Sequence, residues 1–202
     1  MNTLMKKKNE SSEQLNIQLF LLCMLAALLC RRLGKISSLR IICGMLRTMI
    51  YVGVYIGWGI SIYKRVIQKS VRNVLIFIAE LIIFWFVVRT TKYFFTMDNQ
   101  IARYLWYSYY IPMLFIPVAV LQAAFFLGKS EEYRLPKWLK GVYIPTAVLV
   151  LLVLSNDLHQ LVFSFPVGSA WSDSHYTYGW GYYVVLVWEV VCALTAFVLM
   201  IY

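Results

Sequence analysis

Charge is what this sequence has least of. Only 14% of its 202 residues are Asp, Glu, Lys or Arg, about half the share of an ordinary soluble domain. Cysteine is scarce as well: Cys23, Cys30, Cys43 and Cys192 fall inside or beside apolar stretches, and no two form a C-x-x-C. That excludes a disulfide framework and the usual zinc spacings, and leaves four small buried hydrophobes. The chain has no H-E-x-x-H, no G-x-S-x-G, no P-loop and no G-x-G-x-x-G, which removes the zinc hydrolases, α/β-hydrolases, P-loop NTPases and dinucleotide enzymes. No lysine stands mid-segment where a retinal Schiff base needs one, and neither His159 nor His175 lies in a phospho-acceptor box or near an ATP-binding region. No catalytic residue, resident metal or cofactor is expected.

What is abundant is apolar surface: 61% of residues are hydrophobic and 17% aromatic. A water-soluble fold of this size leaves too much of its surface exposed to hide that excess. The solvent is therefore lipid, and the fold class is an all-α membrane protein, a polytopic transmembrane helix bundle. The net charge of +10 does not point to nucleic acid, because the basic residues sit in short runs between apolar stretches, where they set membrane orientation.

Six apolar segments approach the roughly 20 residues that a spanning helix needs: 15–30, 41–63, 73–95, 104–127, 142–155 and 181–202. The first is short and follows Lys6, Lys7 and Lys8, as a signal-peptide core does. It lacks a small-residue cleavage site and runs into Arg31-Arg32, so an uncleaved span is the preferred reading. The last is still apolar at Tyr202, so a longer native polypeptide is expected. Placing residues 1–14, 64–72 and 128–140 in the cytoplasm puts eleven Lys/Arg inside, against five in 31–40, 96–103 and 156–180; the N-terminus is then cytoplasmic and the 156–180 loop extracytoplasmic. Within that loop Leu161–Phe165 alternates like a strand, Pro166-Val-Gly168 can turn, and Tyr176–Tyr183 is rich in strand formers. A short β-hairpin covering the outer end of the bundle is expected.

Ionisable groups inside a membrane are costly and point to function or pairing. Glu80 lies seven residues into the third segment, about 10 Å deep. Glu189, Arg89 and Arg47 share a depth in the outer half, and a Glu189–Arg89 ion pair is the specific expectation. Gly53 and Gly57 form a G-x-x-x-G that allows close approach of another helix. Pro112, Pro117 and Pro145 remove backbone donors and should kink their helices. At the outer surface Asn156, Asp157, His159 and Gln160 make a polar cluster that can recognise a ligand. Trp171, Tyr178 and Trp180 belong to an aromatic set that forms an interfacial belt or lines a pocket. His175 and Asp173 would complete a two-His, two-Asp set, but nothing in the sequence brings the halves together.

The runs Arg103-Tyr-Leu-Trp-Tyr-Ser-Tyr-Tyr-Ile-Pro-Met-Leu-Phe-Ile-Pro117, Tyr143-Ile-Pro-Thr, Leu-Val-Leu-Ser-Asn-Asp-Leu-His-Gln-Leu-Val-Phe-Ser-Phe-Pro166 and Tyr176-Thr-Tyr-Gly-Trp-Gly-Tyr-Tyr183 resemble the N-terminal seven-transmembrane (7TM) region of certain bacterial sensor histidine kinases. The similarity covers about 40–202. The domain plan is then a basic cytoplasmic stretch (1–14) and a short first membrane segment with a basic loop (15–40), both read from charge and apolar length, followed by a 7TM sensory region (41–202) whose last helix and output domains the resemblance implies beyond Tyr202. The resemblance implies a multi-pass protein of the bacterial plasma membrane that detects a small-molecule or physical stimulus, passes it to a cytoplasmic signalling domain, and works as a homodimer. A proton- or solute-linked transporter using Glu80 and Glu189, and a non-catalytic membrane scaffold, are the alternatives.

Overall fold

The computed structural model describes residues 2–36, 39–92, 94–95, 100–130, 133–166 and 175–201, with side-chain surroundings from Ile17 onward. The chain divides into two units, residues 1–57 and 58–202. The first holds α1 (Asn2–Leu33) and most of α2 (Arg40–Arg65). Both helices carry two basic residues in their last turn, Arg31-Arg32 and Lys64-Arg65, where cations complement the exposed carbonyls. Gly34 follows α1 and donates its amide to the Cys30 carbonyl at 2.9 Å. A Cβ there would lie 3.1 Å from that oxygen and 3.4 Å from the Cys43 Cβ, so the bare backbone lets α1 close against the start of α2. Gly53 and Gly57 have no such duty: within their own unit nothing comes within 4 Å of a Cβ built on either, and the expected packing face is unused there.

The second unit contains α3 (Lys69–Lys92), α4 (Gln100–Tyr107), α5 (Tyr110–Phe126), α6 (Lys137–Gly141), α7 (Tyr143–Leu154), α8 (Asn156–His159), β1 (Phe163–Ser164), β2 (Thr177–Tyr178) and α9 (Trp180–Ile201). Helix α5 packs against α3, α7 and α9. Ala119 and Ala123, one helical turn apart and buried on α5, are the small residues that allow this close approach. Five helical stretches are long and apolar enough to cross a bilayer: Arg40–Arg65, Lys69–Lys92, Gln100–Phe126, Lys137–Leu154 and Trp180–Ile201. Their outward faces are studded with exposed Leu, Val and Phe, such as Leu151, Val187 and Phe197, which suits lipid and would aggregate in water. The expected all-α membrane bundle with a small hairpin is the architecture found.

One expectation needs correction. Helix α3 begins at Lys69 rather than residue 73, which moves Glu80 from about a third of the way along to the middle of the helix. Pro112 and Pro145 stand just after breaks in the stretches Gln100–Phe126 and Lys137–Leu154. Each is the third residue of its helix, α5 or α7, in a first turn whose N–H has no intrahelical acceptor and is not missed. The breaks fall just before them, at Ser108–Tyr109 and at Val142, where hydrogen bonds tighten to an i→i−3 pattern: Ile111 to Ser108 at 3.2 Å and Val142 to Leu139 at 3.3 Å. Only Pro117 lies inside a helix.

Side-chain hydrogen bonds tie the helices across the apolar core. Trp188 on α9 donates to the buried Thr146 hydroxyl on α7 at 3.1 Å, and the Tyr143 hydroxyl donates to Gln122 on α5. The hairpin is shorter than expected because α9 already begins at Trp180. It pairs Phe163 with Tyr178 and Ser164 with Thr177, antiparallel, and its tip, including Trp171 and Asp173, lies outside the described residues. Gly179 donates to the Val162 carbonyl at 2.9 Å and Gly181 to the Leu161 carbonyl at 3.0 Å. A Cβ on Gly179 would stand 2.1 Å from the Leu161 oxygen, an overlap with backbone that no rotamer relieves. Gly179→Ala should therefore lower unfolding stability in detergent by roughly 3 kcal/mol, the upper range for overpacking. Gly128→Ala, at φ 71° with open space around it, should cost only about 1 kcal/mol.

Candidate functional site

Helix α7 ends where its apolar run gives way to Ser155-Asn-Asp-Leu-His-Gln. The Ser155 hydroxyl folds back onto the Leu151 carbonyl at 2.7 Å, and the next residues make the single turn α8. Gln160 closes that turn with its amide on the Asn156 carbonyl (2.7 Å) and reverses the chain in the left-handed region at φ 51°. Leu161–Phe163 is thereby steered back under the end of the bundle. Val162 and Phe163 are fully buried, so every polar group of this backbone needs a protein partner.

Asn156 supplies most of them. It is fully buried; its Oδ1 accepts the amides of Val162 (3.0 Å) and Phe163 (2.9 Å). Its Nδ2 donates to the Phe163 carbonyl (2.8 Å) and to the Tyr107 hydroxyl (3.2 Å). Two donors and two lone pairs are all used, so the side chain has no capacity left for a ligand. His159 takes the Leu161 amide on Nδ1 at 3.0 Å, which assigns the ring proton to Nε2, 3.2 Å from the Ser155 hydroxyl. Gly179 and Gly181 take the remaining carbonyls of Val162 and Leu161.

Asp157 points the other way along α8. One carboxylate oxygen accepts the Tyr107 hydroxyl at 2.7 Å and the other meets the Arg103 guanidinium at 2.8 Å. Arg103 and Tyr107 stand four residues apart on α4 and so share a face. The side chains of Arg103 and Asp157 keep 27% and 16% of their surface exposed, so this is a part-buried charge pair at a membrane-protein end, open to a polar visitor. Around it lies an aromatic shell centred on Phe163, whose ring is 4.6 Å from Trp106, 5.3 Å from Tyr176 and 5.5 Å from Tyr110 by centroids. Tyr178 stacks on Tyr182 at 4.0 Å.

Asn156, Asp157 and His159 thus converge, joined by Arg103 and Tyr107, which sequence reading missed. Their signal is the i, i+4 spacing, which carries both residues on one face only because α4 starts at Gln100, four residues before the apolar segment that begins at 104. Gln160 accepts a long contact (3.5 Å) from Ser164 and acts chiefly through its backbone. Trp180 is exposed at the start of α9, and Trp171 lies outside the described residues. The expected Glu189–Arg89 ion pair does not form. Arg89 lies over the Trp85 ring of its own helix at 5.9 Å, while Glu189 Oε1 is buried with no hydrogen-bond partner among the described residues. A shared depth fixes height along a helix and not rotation about it, and the two helices each pack on α5. Arg47 is half-buried in the first unit, and Glu80 is exposed on α3. Among the described residues no three His, Cys, Asp or Glu side chains are grouped as a metal site requires.

The family model described as the N-terminal 7TM region of histidine kinase matches residues 41–202. No curated protein and no solved structure matches the chain.

Removing Asn156 should cost more stability than removing any other polar side chain of this cluster. Asn156→Ala strands two buried amides and a carbonyl, at about 1–3 kcal/mol each, and the unfolding free energy should fall by roughly 3 kcal/mol or more. A double-mutant cycle of Arg103→Gln with Asp157→Asn should give a coupling near 1 kcal/mol, reduced from the fully buried range by the partial exposure of both groups.

Proposed function

The chain belongs to the family of N-terminal 7TM regions of histidine kinases, and on that premise we propose that it is the membrane sensory module of a two-component-type signalling protein. The family places it in a membrane and in a sensory, non-catalytic part of such proteins. In the proposed arrangement the N-terminus is cytoplasmic, segment 15–30 is an uncleaved span, and the α8–hairpin end faces outward from the bacterial plasma membrane. The basic residues Lys64, Arg65, Lys69, Arg72, Lys129, Arg134, Lys137 and Lys140 then lie on the cytoplasmic side, beside an output domain that reads the helix ends.

The observation that carries the proposal is the linkage of one small polar cluster to three elements. Asp157 is bonded to Arg103 and Tyr107 of α4, Asn156 to the 162–163 backbone, and the 161–162 carbonyls to the start of α9 through Gly181 and Gly179. Displacement of the hairpin therefore pulls on α4 and α9 together, and α4 joins α5 through the broken turn at Ser108–Tyr109. A stimulus signals only if it favours one of two helix arrangements. The part-exposed Arg103–Asp157 pair is the group on which a polar or charged stimulus can act, with Tyr178 and Trp180 as the aromatic rim. Asn156 and His159 are positioning residues.

Signalling output of the native polypeptide in cells, scanned over candidate stimuli, tests this. Asp157→Asn or Arg103→Gln should shift basal output or response midpoint by about fivefold or more, and exchanging the two residues should restore part of it. Unchanged responses to every stimulus would remove the pair from the mechanism. Proton flux in vesicles that is abolished by Glu189→Gln would favour a transporter instead.

A further inference from the structure

Gly181, Val185, Cys192 and Ala196 are the buried residues of α9, the helix that packs most extensively on α5. Glu189 falls between Val185 and Cys192 at four- and three-residue steps, which keeps it on the same face. The residue is half-buried, its Oε1 wholly so, and among the described residues no hydrogen bond or ion pair reaches that oxygen. Within the described part of 58–202 no Lys or Arg stands against it. Positions 93, 96–99, 131–132 and 167–174 contain neither. A carboxylate held inside a bilayer without a counter-charge is costly.

Phenol rings gather above this carboxyl. Helical side chains lean toward the N-terminus of their helix, so Glu189 leans toward Tyr182, two turns earlier on its own face. The rings of Tyr110, Tyr176, Tyr178 and Tyr182 all lie within 6.2 Å of the Phe163 ring by centroids. The hydroxyls of Tyr176 and Tyr178 are 3.4 Å apart. Tyr110, at the start of α5, and Tyr182 are near enough to the Glu189 carboxyl to interact with it electrostatically. We propose that Glu189, with Tyr110 and Tyr182, binds the ammonium group of an organic amine whose apolar body lies beside Tyr176 and Tyr178. The carboxylate balances the charge, the ring faces attract it through their quadrupoles, and the phenol oxygens accept its N–H bonds. An anion would be repelled here, and a neutral ligand would leave the carboxylate unbalanced. The site stands on the packing of α5, α9 and the hairpin, so it holds whether or not occupancy changes signalling.

The test is equilibrium dialysis of phenethylammonium against the full chain in lipid nanodiscs, with empty nanodiscs subtracted, beside its uncharged counterpart phenethyl alcohol. Saturable binding of the ammonium is expected, about tenfold or more tighter than that of the alcohol. Glu189→Gln should weaken it about tenfold or more, and Tyr110→Leu, which removes one ring face, about three- to tenfold. Glu80→Gln, which removes the carboxyl of α3, should leave it within about twofold. On the unaltered chain, phenethylammonium should slow modification of Glu189 by dicyclohexylcarbodiimide, an apolar reagent for carboxyl groups within membranes, about fivefold or more while leaving Glu80 unprotected. The site is overturned by the absence of saturable binding, by equal binding of the alcohol, or by a Glu189→Gln chain that binds as tightly as the unaltered one. Labelling of Glu189 that the amine leaves unchanged overturns it as well.

Discussion

A chain that turns back under the end of an apolar helix carries its backbone amides and carbonyls into a place without water. In this protein three consecutive residues, Leu161–Phe163, make that passage, and the side chain of Asn156 answers half of their six polar groups. His159 answers one and the glycine amides at 179 and 181 answer the other two. The rest of this end of the molecule follows from that solution. Phe163 can be buried only because its own amide and carbonyl are bonded, and its ring then becomes the centre around which Trp106, Tyr110 and Tyr176 gather. Tyr178 must be followed by a residue without a Cβ, because the Leu161 carbonyl occupies the space.

The same cluster explains why charge appears at an end of an otherwise apolar bundle. Tyr107 is fully buried, and its hydroxyl both accepts from Asn156 and donates to Asp157. Asp157 in turn needs a counter-charge, which Arg103 supplies from one turn earlier on α4. Saturated polar groups specify a single arrangement, whereas a part-exposed ion pair can be exchanged for contacts with something else. The cluster thus has a rigid inner half, Asn156 and its backbone partners, and an exchangeable outer half, Arg103–Asp157. The proposed sensory role rests on that division, with one half holding its shape and the other free to exchange partners.

Much of the fold was legible in sequence because lipid imposes one strong rule: apolar segments of spanning length separated by short basic or polar loops. The two-residue strands fall inside the alternating run Leu161–Phe165 and the strand-former-rich run Tyr176–Tyr183 expected for them. Rotation about each helix axis was not legible. Glu189 and Arg89 matched in depth, yet depth is one coordinate of two, and the guanidinium settles on Trp85 of its own helix. Pro112 and Pro145 stand in first turns, where the missing N–H that is costly in a helix interior is harmless, and the helix breaks just before each. Asn156 read as a ligand group because its polarity was visible, while the returning backbone that consumes it depends on a chain reversal that no local pattern announces. Arg103 and Tyr107 escaped for the opposite reason: a helix start misplaced by four residues put Arg103 in a loop.

Hydrogen exchange of the full chain in lipid nanodiscs, read at the amides of Val162, Phe163, Gly179 and Gly181, measures whether the hairpin and the bundle are one mechanical body. If Asn156 and its partners bind them together, these four amides exchange within about tenfold of the slow amides in the core of α5 and open in the same event. Exchange at Val162 and Phe163 a hundredfold or more faster than in α5 would show a hairpin that opens alone, and would contradict transmission from this end through α4 and α9.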